Sequence, residues 1–149
     1  MHPLKIRSTA ALILALCATS ASAADIQIKM LDTSPTEGLL AFEPSFVKAE
    51  VNDTLVFIPT NPGHNSRSVL TPEGVQPWKS QFNKEFRVKL EKEGIYLYFC
   101  EAHKNMGMFG AVQVGKAVNL EEARKKAADE SALMVMNKDR LAKALGKVQ

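Results

Sequence analysis

Cysteine is scarce in this chain, with two in 149 residues, alongside three histidines, two tyrosines and one tryptophan. Two cysteines exclude a disulfide-stapled framework. Charge of one sign is also lacking. Nineteen Lys and Arg stand against 16 Asp and Glu, and a net charge of +3 does not imply nucleic acid as a partner. Apolar runs are short, and none reaches the roughly 20 residues of a membrane-spanning helix. No repeat or low-complexity tract is present. What remains is a 46% hydrophobic chain, long enough for one compact domain with a packed core.

The first two dozen residues have an order of their own. Lys5 and Arg7 precede the apolar stretch Thr9–Leu16, and Ala21-Ser22-Ala23 follows as a small-x-small triplet. This order predicts a cleavable secretory signal peptide over residues 1–23. Leu16 is bulky where a lipoprotein signal needs a small residue, so Cys17 leaves with the leader. Cleavage removes two basic and no acidic side chains, so the mature chain, residues 24–149, is close to neutral. It keeps one thiol, Cys100, and two imidazoles, His64 and His103. A solitary thiol in an oxidising compartment has no internal disulfide partner and is open to oxidation, so it calls for a function.

Residues 24–115 carry the punctuation of a β domain. Ile26, Ile28 and Met30 alternate with Gln27 and Lys29, and Phe86, Val88 and Leu90 alternate with Arg87 and Lys89. A period of two marks strands with one wet face. Further strands are expected at Phe46–Glu50, Thr54–Ile58, Ile95–Phe99 and Ala111–Val114. Leu55–Ile58 and Ile95–Phe99 are apolar on both faces, as central strands are. About seven short strands predict a β-sandwich or barrel. Residues 116–149 switch to helical spacing. Asn119 with Glu122 suggests a capping box, and Leu120, Ala123 and Ala127 form one stripe. Leu133, Met136, Leu141, Ala144 and Leu145 form a second stripe that stops at Gly146. Met136 is expected in the core with Met134 on another face, and the charges from Arg124 to Lys143 on solvated faces. Two short helices of this kind need a surface to lie on.

The chemistry is concentrated in Cys100-Glu101-Ala102-His103-Lys104-Asn105-Met106-Gly107-Met108, between two expected strands. His64 sits in the turn Pro62-Gly63-His64-Asn65. One thiolate, two imidazoles and a thioether match the trigonal Cys-His-His site with a weak axial Met of blue-copper centres. Structural zinc favours several thiolates or harder donors, and calcium and magnesium take oxygens. A c-type haem would need a second cysteine before the His. A Cys100–His103 nucleophilic pair would lack an orienting third group and leave His64 and Met108 without a role. On these residues alone, Met106 and Met108 are both candidate thioethers.

The order His…Cys-x2-His-x4-Met, with Phe42-Glu43-Pro44, Phe57-Ile58-Pro59-Thr60, Met106-Gly107-Met108 and Val112-Gln113-Val114-Gly115, resembles the cupredoxins, and the pseudoazurins among them. The resemblance covers essentially the whole of residues 24–149. It implies a mainly β, cupredoxin-like Greek-key β-sandwich with two C-terminal α-helices. It also implies one type 1 copper ion per chain, held by His64, Cys100, His103 and Met108. The implied role is that of a periplasmic electron carrier, not an enzyme. It would act as a monomer in transient complexes with redox proteins such as a copper nitrite reductase or c-type cytochromes. A periplasmic copper chaperone or storage protein is the alternative. In the resemblance His103 reaches the surface through an apolar patch, with Met106 and Phe109 as lining. Lys29, Lys48, Lys79, Lys104 and Lys126 are candidates for a basic rim. Ala102 stands where the relatives carry proline before the second His, and it restores a backbone N–H that can face the Cys100 sulfur. Glu101 and Lys104-Asn105 also depart from the pattern.

Overall fold

A computed structural model describes residues 22–149. The expected leader, apart from Ser22 and Ala23, lies outside the described residues. Eight strands form two four-stranded sheets. The first sheet has the order β2 (Gly38–Glu43), β1 (Asp25–Ser34), β4 (Thr54–Pro59), β6 (Phe86–Lys89). The second has the order β3 (Phe46–Ala49), β8 (Phe109–Val114), β7 (Gly94–Phe99), β5 (Arg67–Leu70). Each sheet is mixed. β1 runs parallel to β4 and β3 parallel to β8, and the other pairs are antiparallel.

The alternation in β1 turns Ile28 and Met30 inward, where they meet Phe42, Leu55, Phe57, Tyr96, Tyr98 and Val112 between the sheets. Phe42, Phe57 and Tyr98 pack edge to face, with ring centroids 4.9–5.9 Å apart. Trp78 closes this cluster and donates from Nε1 to Ser66 Oγ at 3.0 Å. Gly110 allows β8 to lie against Tyr98, since a Cβ there would be 2.4 Å from its ring.

Every residue of β7 and β8 is buried. The reason is a second apolar layer. Ile95, Leu97, Phe99, Phe109 and Ala111, on the outer face of the second sheet, are covered by Ala123, Ala127, Met134, Leu141, Ala144 and Leu145. These come from α1 (Leu120–Ala132), α2 (Arg140–Leu145) and the turn between them.

Two strands escape the sequence pattern. β2 does not alternate, because Leu39 and Leu40 face outward or sideways, with Leu40 at φ 48°, before Ala41 and Phe42 turn in. β5 is only four residues long and its register slips between Ser68 and Leu70. Its inward residue, Ser68, is polar and bonds Trp78 N–H at 2.8 Å.

The helical segment corrects three expectations. Asn119 makes no side-chain cap. Its amide instead pairs with the Ile95 backbone, accepting at 2.6 Å and donating at 3.0 Å, which ties the start of α1 to β7. The second stripe is helical only from Arg140, so Leu133 is exposed, Met134 is buried and Met136 is half-buried. Two of the charges expected on solvated faces are interior: Glu130 is 5% exposed and Arg140 is 6% exposed.

Glu130 accepts ion pairs from Lys104 at 2.8 Å and Lys126 at 3.1 Å. Burial alone would raise its carboxyl, but the two ammonium groups outweigh this and hold it below the usual glutamate value. A depressed carboxylate contributes stability above the unfolded-state glutamate value and loses it as pH falls through the folded one. Chemical denaturation of wild type and Glu130→Gln should therefore differ most near neutrality, and the gap should close as the solution is acidified below about pH 4. A gap that stays constant with pH would show that the two lysines do not stabilise the charge.

Candidate metal centre

Two connections at one end of the sandwich build the site. Residues 60–66 join β4 to β5 and carry His64, and residues 100–108 join β7 to β8 and carry Cys100, His103 and Met108. β5 and β7 are hydrogen-bonded neighbours, so the two loops lie side by side.

Backbone bonds close the longer loop on itself. Cys100 N–H donates to Met108 O at 3.0 Å, and Met108 N–H donates to His103 O at 3.2 Å. A 3₁₀ turn at Lys104–Met106 fills the interval. Asn65 joins the two loops. Its Oδ1 accepts the Glu101 N–H at 2.9 Å, and its Nδ2 donates to Glu101 Oε2 at 2.8 Å. Asn65 is fully buried, so these bonds carry the full cost of a lost partner, about 1–3 kcal/mol each.

Three donor atoms converge. Cys100 Sγ lies 3.8 Å from His64 Nδ1 and 3.6 Å from His103 Nδ1, and all three lie within 4.8 Å of one another. The imidazole rings are 4.9 Å apart. His64 and Cys100 are buried, and His103 alone is half-exposed.

The hydrogen-bonding chemistry fixes the His64 tautomer. Its Nε2 meets Asp32 Oδ1 at 2.9 Å, and a carboxylate can only accept. Nε2 therefore carries the hydrogen, and Nδ1 turns a lone pair toward the sulfur. Asp32 is held in turn by Asn61, whose Oδ1 accepts the Asp32 N–H at 3.0 Å.

Burial pushes the Cys100 thiol up from its usual value, and the neighbouring backbone of Asn65, Ala102 and His103 opposes that rise. Burial also pushes His103 down, with the neighbouring His64 adding to the effect and Asp32 opposing it.

The two thioethers separate cleanly. Met108 is fully buried in the same core cluster as Cys100, whereas Met106 is 41% exposed. Phe109, expected at the surface beside His103, is fully buried and stacks on Phe99 at 5.6 Å. Exposed apolar side chains near these loops include Met106, Leu39, Phe82 and Val135.

The donors fit copper. Sulfur–nitrogen spacings of 3.6 and 3.8 Å are what one ion bonded at about 2.0–2.3 Å to each atom spans. One soft sulfur with two imidazoles, next to a buried thioether, selects copper over the harder divalent ions. Sequence reasoning did not reach Asp32, because nothing local marks a residue 32 positions upstream of the histidine it orients. Asn65 stood beside His64 in the motif but carried no signal of its bond to Glu101.

The family model of copper-binding proteins of the plastocyanin/azurin family matches residues 29–115. The chain is 38% identical over 122 residues to pseudoazurin of Paracoccus pantotrophus, covering 80% of this chain and 83% of that one. Pseudoazurin of Methylorubrum extorquens is 37% identical over 121 residues, covering 78% and 81%. The crystal structure of native pseudoazurin from Hyphomicrobium denitrificans superposes with a TM-score of 0.76 at 39% identity, covering 84% of this chain and 98% of that one. The fold, the convergence of His64, Cys100 and His103 and these likenesses agree. The chain belongs to the pseudoazurins, blue-copper electron carriers of the plastocyanin/azurin family that are not enzymes.

Proposed function

We propose that this chain is a periplasmic shuttle that passes single electrons between respiratory redox proteins through a centre held by His64, Cys100, His103 and Met108. The observation that carries this reading is the uneven burial of the donors. Cys100, His64 and Met108 are closed off from solvent, and His103 alone reaches it. Copper held there supplies the one-electron couple between Cu(II) and Cu(I). The chain supplies the rest. Asp32 keeps His64 in the tautomer that presents Nδ1, the Asn65–Glu101 bonds hold the two loops at one spacing, and the buried walls exclude water. A frame that does not rearrange between two charge states keeps the barrier to electron exchange low. The same enclosure argues against a chaperone or storage protein, whose donors must be open to exchange.

The surface beside His103 supports a transient partner. Arg67, Lys104 and Lys126 line one cleft with Glu101 and Glu130, and Lys79 pairs with Glu101 from its edge. Four cations against two carboxylates leave that cleft positive, although the chain as a whole is almost balanced. Of the lysines expected in a basic rim, Lys79, Lys104 and Lys126 pair with acids in this cleft, while Lys48 bonds the C-terminal Gln149 and Lys29 is on the outward face of β1. Exposed Met106, Leu39 and Phe82 supply apolar contact. A small apolar contact inside a positive surface suits fast, weak docking to an acidic face. Copper nitrite reductases and c-type cytochromes are the partner classes this reading names, and residues 1–23 are the leader that delivers the chain to the periplasm.

Purified protein loaded with copper should be intensely coloured and undergo reversible one-electron reduction. A colourless complex would refute the proposal. Met108→Ala should change that spectrum and Met106→Ala should leave it as in wild type; the reverse pattern would reassign the axial donor. Ala102→Pro deletes the backbone N–H two residues from Cys100, whose polarity favours thiolate charge, so electron density at the thiolate rises and the reduction potential should fall below that of wild type. An equal or higher potential would contradict that role. The bimolecular rate with an acidic redox partner should decrease as ionic strength rises from about 0.01 to 0.5 M. A flat dependence would remove the steering role of the cleft.

A further inference from the structure

Four consecutive residues separate His103 from Met108, and each is tied to the C-terminal helical segment by a different bond. Lys104 Nζ lies 2.8 Å from Glu130 Oε2 on α1. Asn105 O accepts the Val135 N–H at 2.7 Å. Met106 O accepts Asn137 Nδ2 at 2.9 Å. Gly107 O accepts Arg140 Nη1 at 2.7 Å. The turn between the helices also presses on the loop. Gly107 has φ +74°, and a Cβ there would come within 2.6 Å of Met136 O and 2.8 Å of Asn137 Cβ.

Arg140 is the centre of this arrangement. Its guanidinium also donates to Leu40 O at 2.6 Å, Glu37 O at 2.9 Å and Leu39 O at 3.0 Å. One buried, charged fork thus joins α2, the β1–β2 turn and the metal-ligand loop. Docking the helices does not require it, because Met134, Leu141, Ala144 and Leu145 already bury an apolar face on the second sheet. The 3₁₀ turn has internal bonds, Met106 N–H to His103 O at 3.1 Å and Gly107 N–H to Lys104 O at 3.0 Å, but such bonds are poorer than α-helical ones, and they leave the carbonyls of Asn105, Met106 and Gly107 to outside donors. Val135, Asn137 and Arg140 supply those three donors.

We propose that the α1–α2 segment is an outer wall of the metal centre, with Arg140 and Asn137 as positioning residues. They fix the interval from His103 to Met108, and so set the approach of the Met108 thioether, the ligand that tunes the redox character of such sites. This inference rests on the assignment of the centre in the preceding section.

The test uses the mature chain as wild type, Arg140→Met, Arg140→Lys and Asn137→Gly, the last keeping the left-handed backbone at position 137. In metal-free protein, amide hydrogen exchange at Gly107 and Met108 should be about tenfold faster in Arg140→Met, with a much smaller change across β7. In copper-loaded protein the charge-transfer bands and the reduction potential should shift in Arg140→Met, less in Asn137→Gly, and return part of the way in Arg140→Lys. Uniformly faster exchange across the sandwich, with spectrum and potential as in wild type, would make Arg140 a stability residue only and overturn the proposal. Should Arg140→Met fail to fold, the same two readouts on Asn137→Gly decide. A colourless copper-loaded wild type would remove the electron-carrier reading and the tuning clause, while exchange in metal-free protein still judges the bracing.

Discussion

Holding three Lewis bases within 4.8 Å of one another, two of them buried, is the constraint on which the rest of the molecule depends. Without an ion, the three groups offer one another only weak thiol–imidazole hydrogen bonds at 3.6 and 3.8 Å, too little to hold the site together through its own attractions. The sandwich supplies the force. β5 and β7 bring the two loops alongside, Asn65 bonds across them, and Asp32 reaches from the other sheet to orient His64. Each tie lies outside the donor atoms, so the donors remain free to bind. A site built this way is pre-formed, and ordering it on metal entry or electron arrival costs little.

Charge is managed locally, not through the whole chain. The net charge is small, yet the cleft beside the ligand loop gathers Arg67, Lys104 and Lys126, with Lys79 paired to its Glu101. Glu101 and Glu130 moderate it from within, and each does a second task. Glu101 accepts from Asn65 Nδ2, linking the cleft to the loop junction, and Glu130 secures Lys104 next to His103. Lys104 also lies 4.9 Å over the Phe99 ring, which is packed against the helices. The charged side chains of this cleft are therefore mechanically continuous with those that hold the donors.

The helices serve two ends at once. Their apolar stripe covers β7 and β8, which explains why those strands are apolar on both faces, and their polar turn meets the ligand loop. The expected capping box gives way for the same reason. Asn119 is worth more pairing with a strand backbone at 2.6 and 3.0 Å than capping a helix end that water can satisfy.

By itself the sequence determined what depends on local periodicity and chemical type. Alternation placed β1 and β6, the doubly apolar runs placed β4 and β7, and the rarity of cysteine and histidine singled out Cys100, His64 and His103 as a set. It did not show β2, β5, the break before Arg140, or the interior positions of Glu130 and Arg140, because a charged residue in a helical stripe reads as solvated unless its distant acceptors are known. Only the tertiary structure decided that Asp32 sets the His64 tautomer, that Met108 is enclosed while Met106 is open, and that Phe109 belongs to the helix-covered layer. These are contacts between residues far apart in the chain, and a one-dimensional pattern has no term for them.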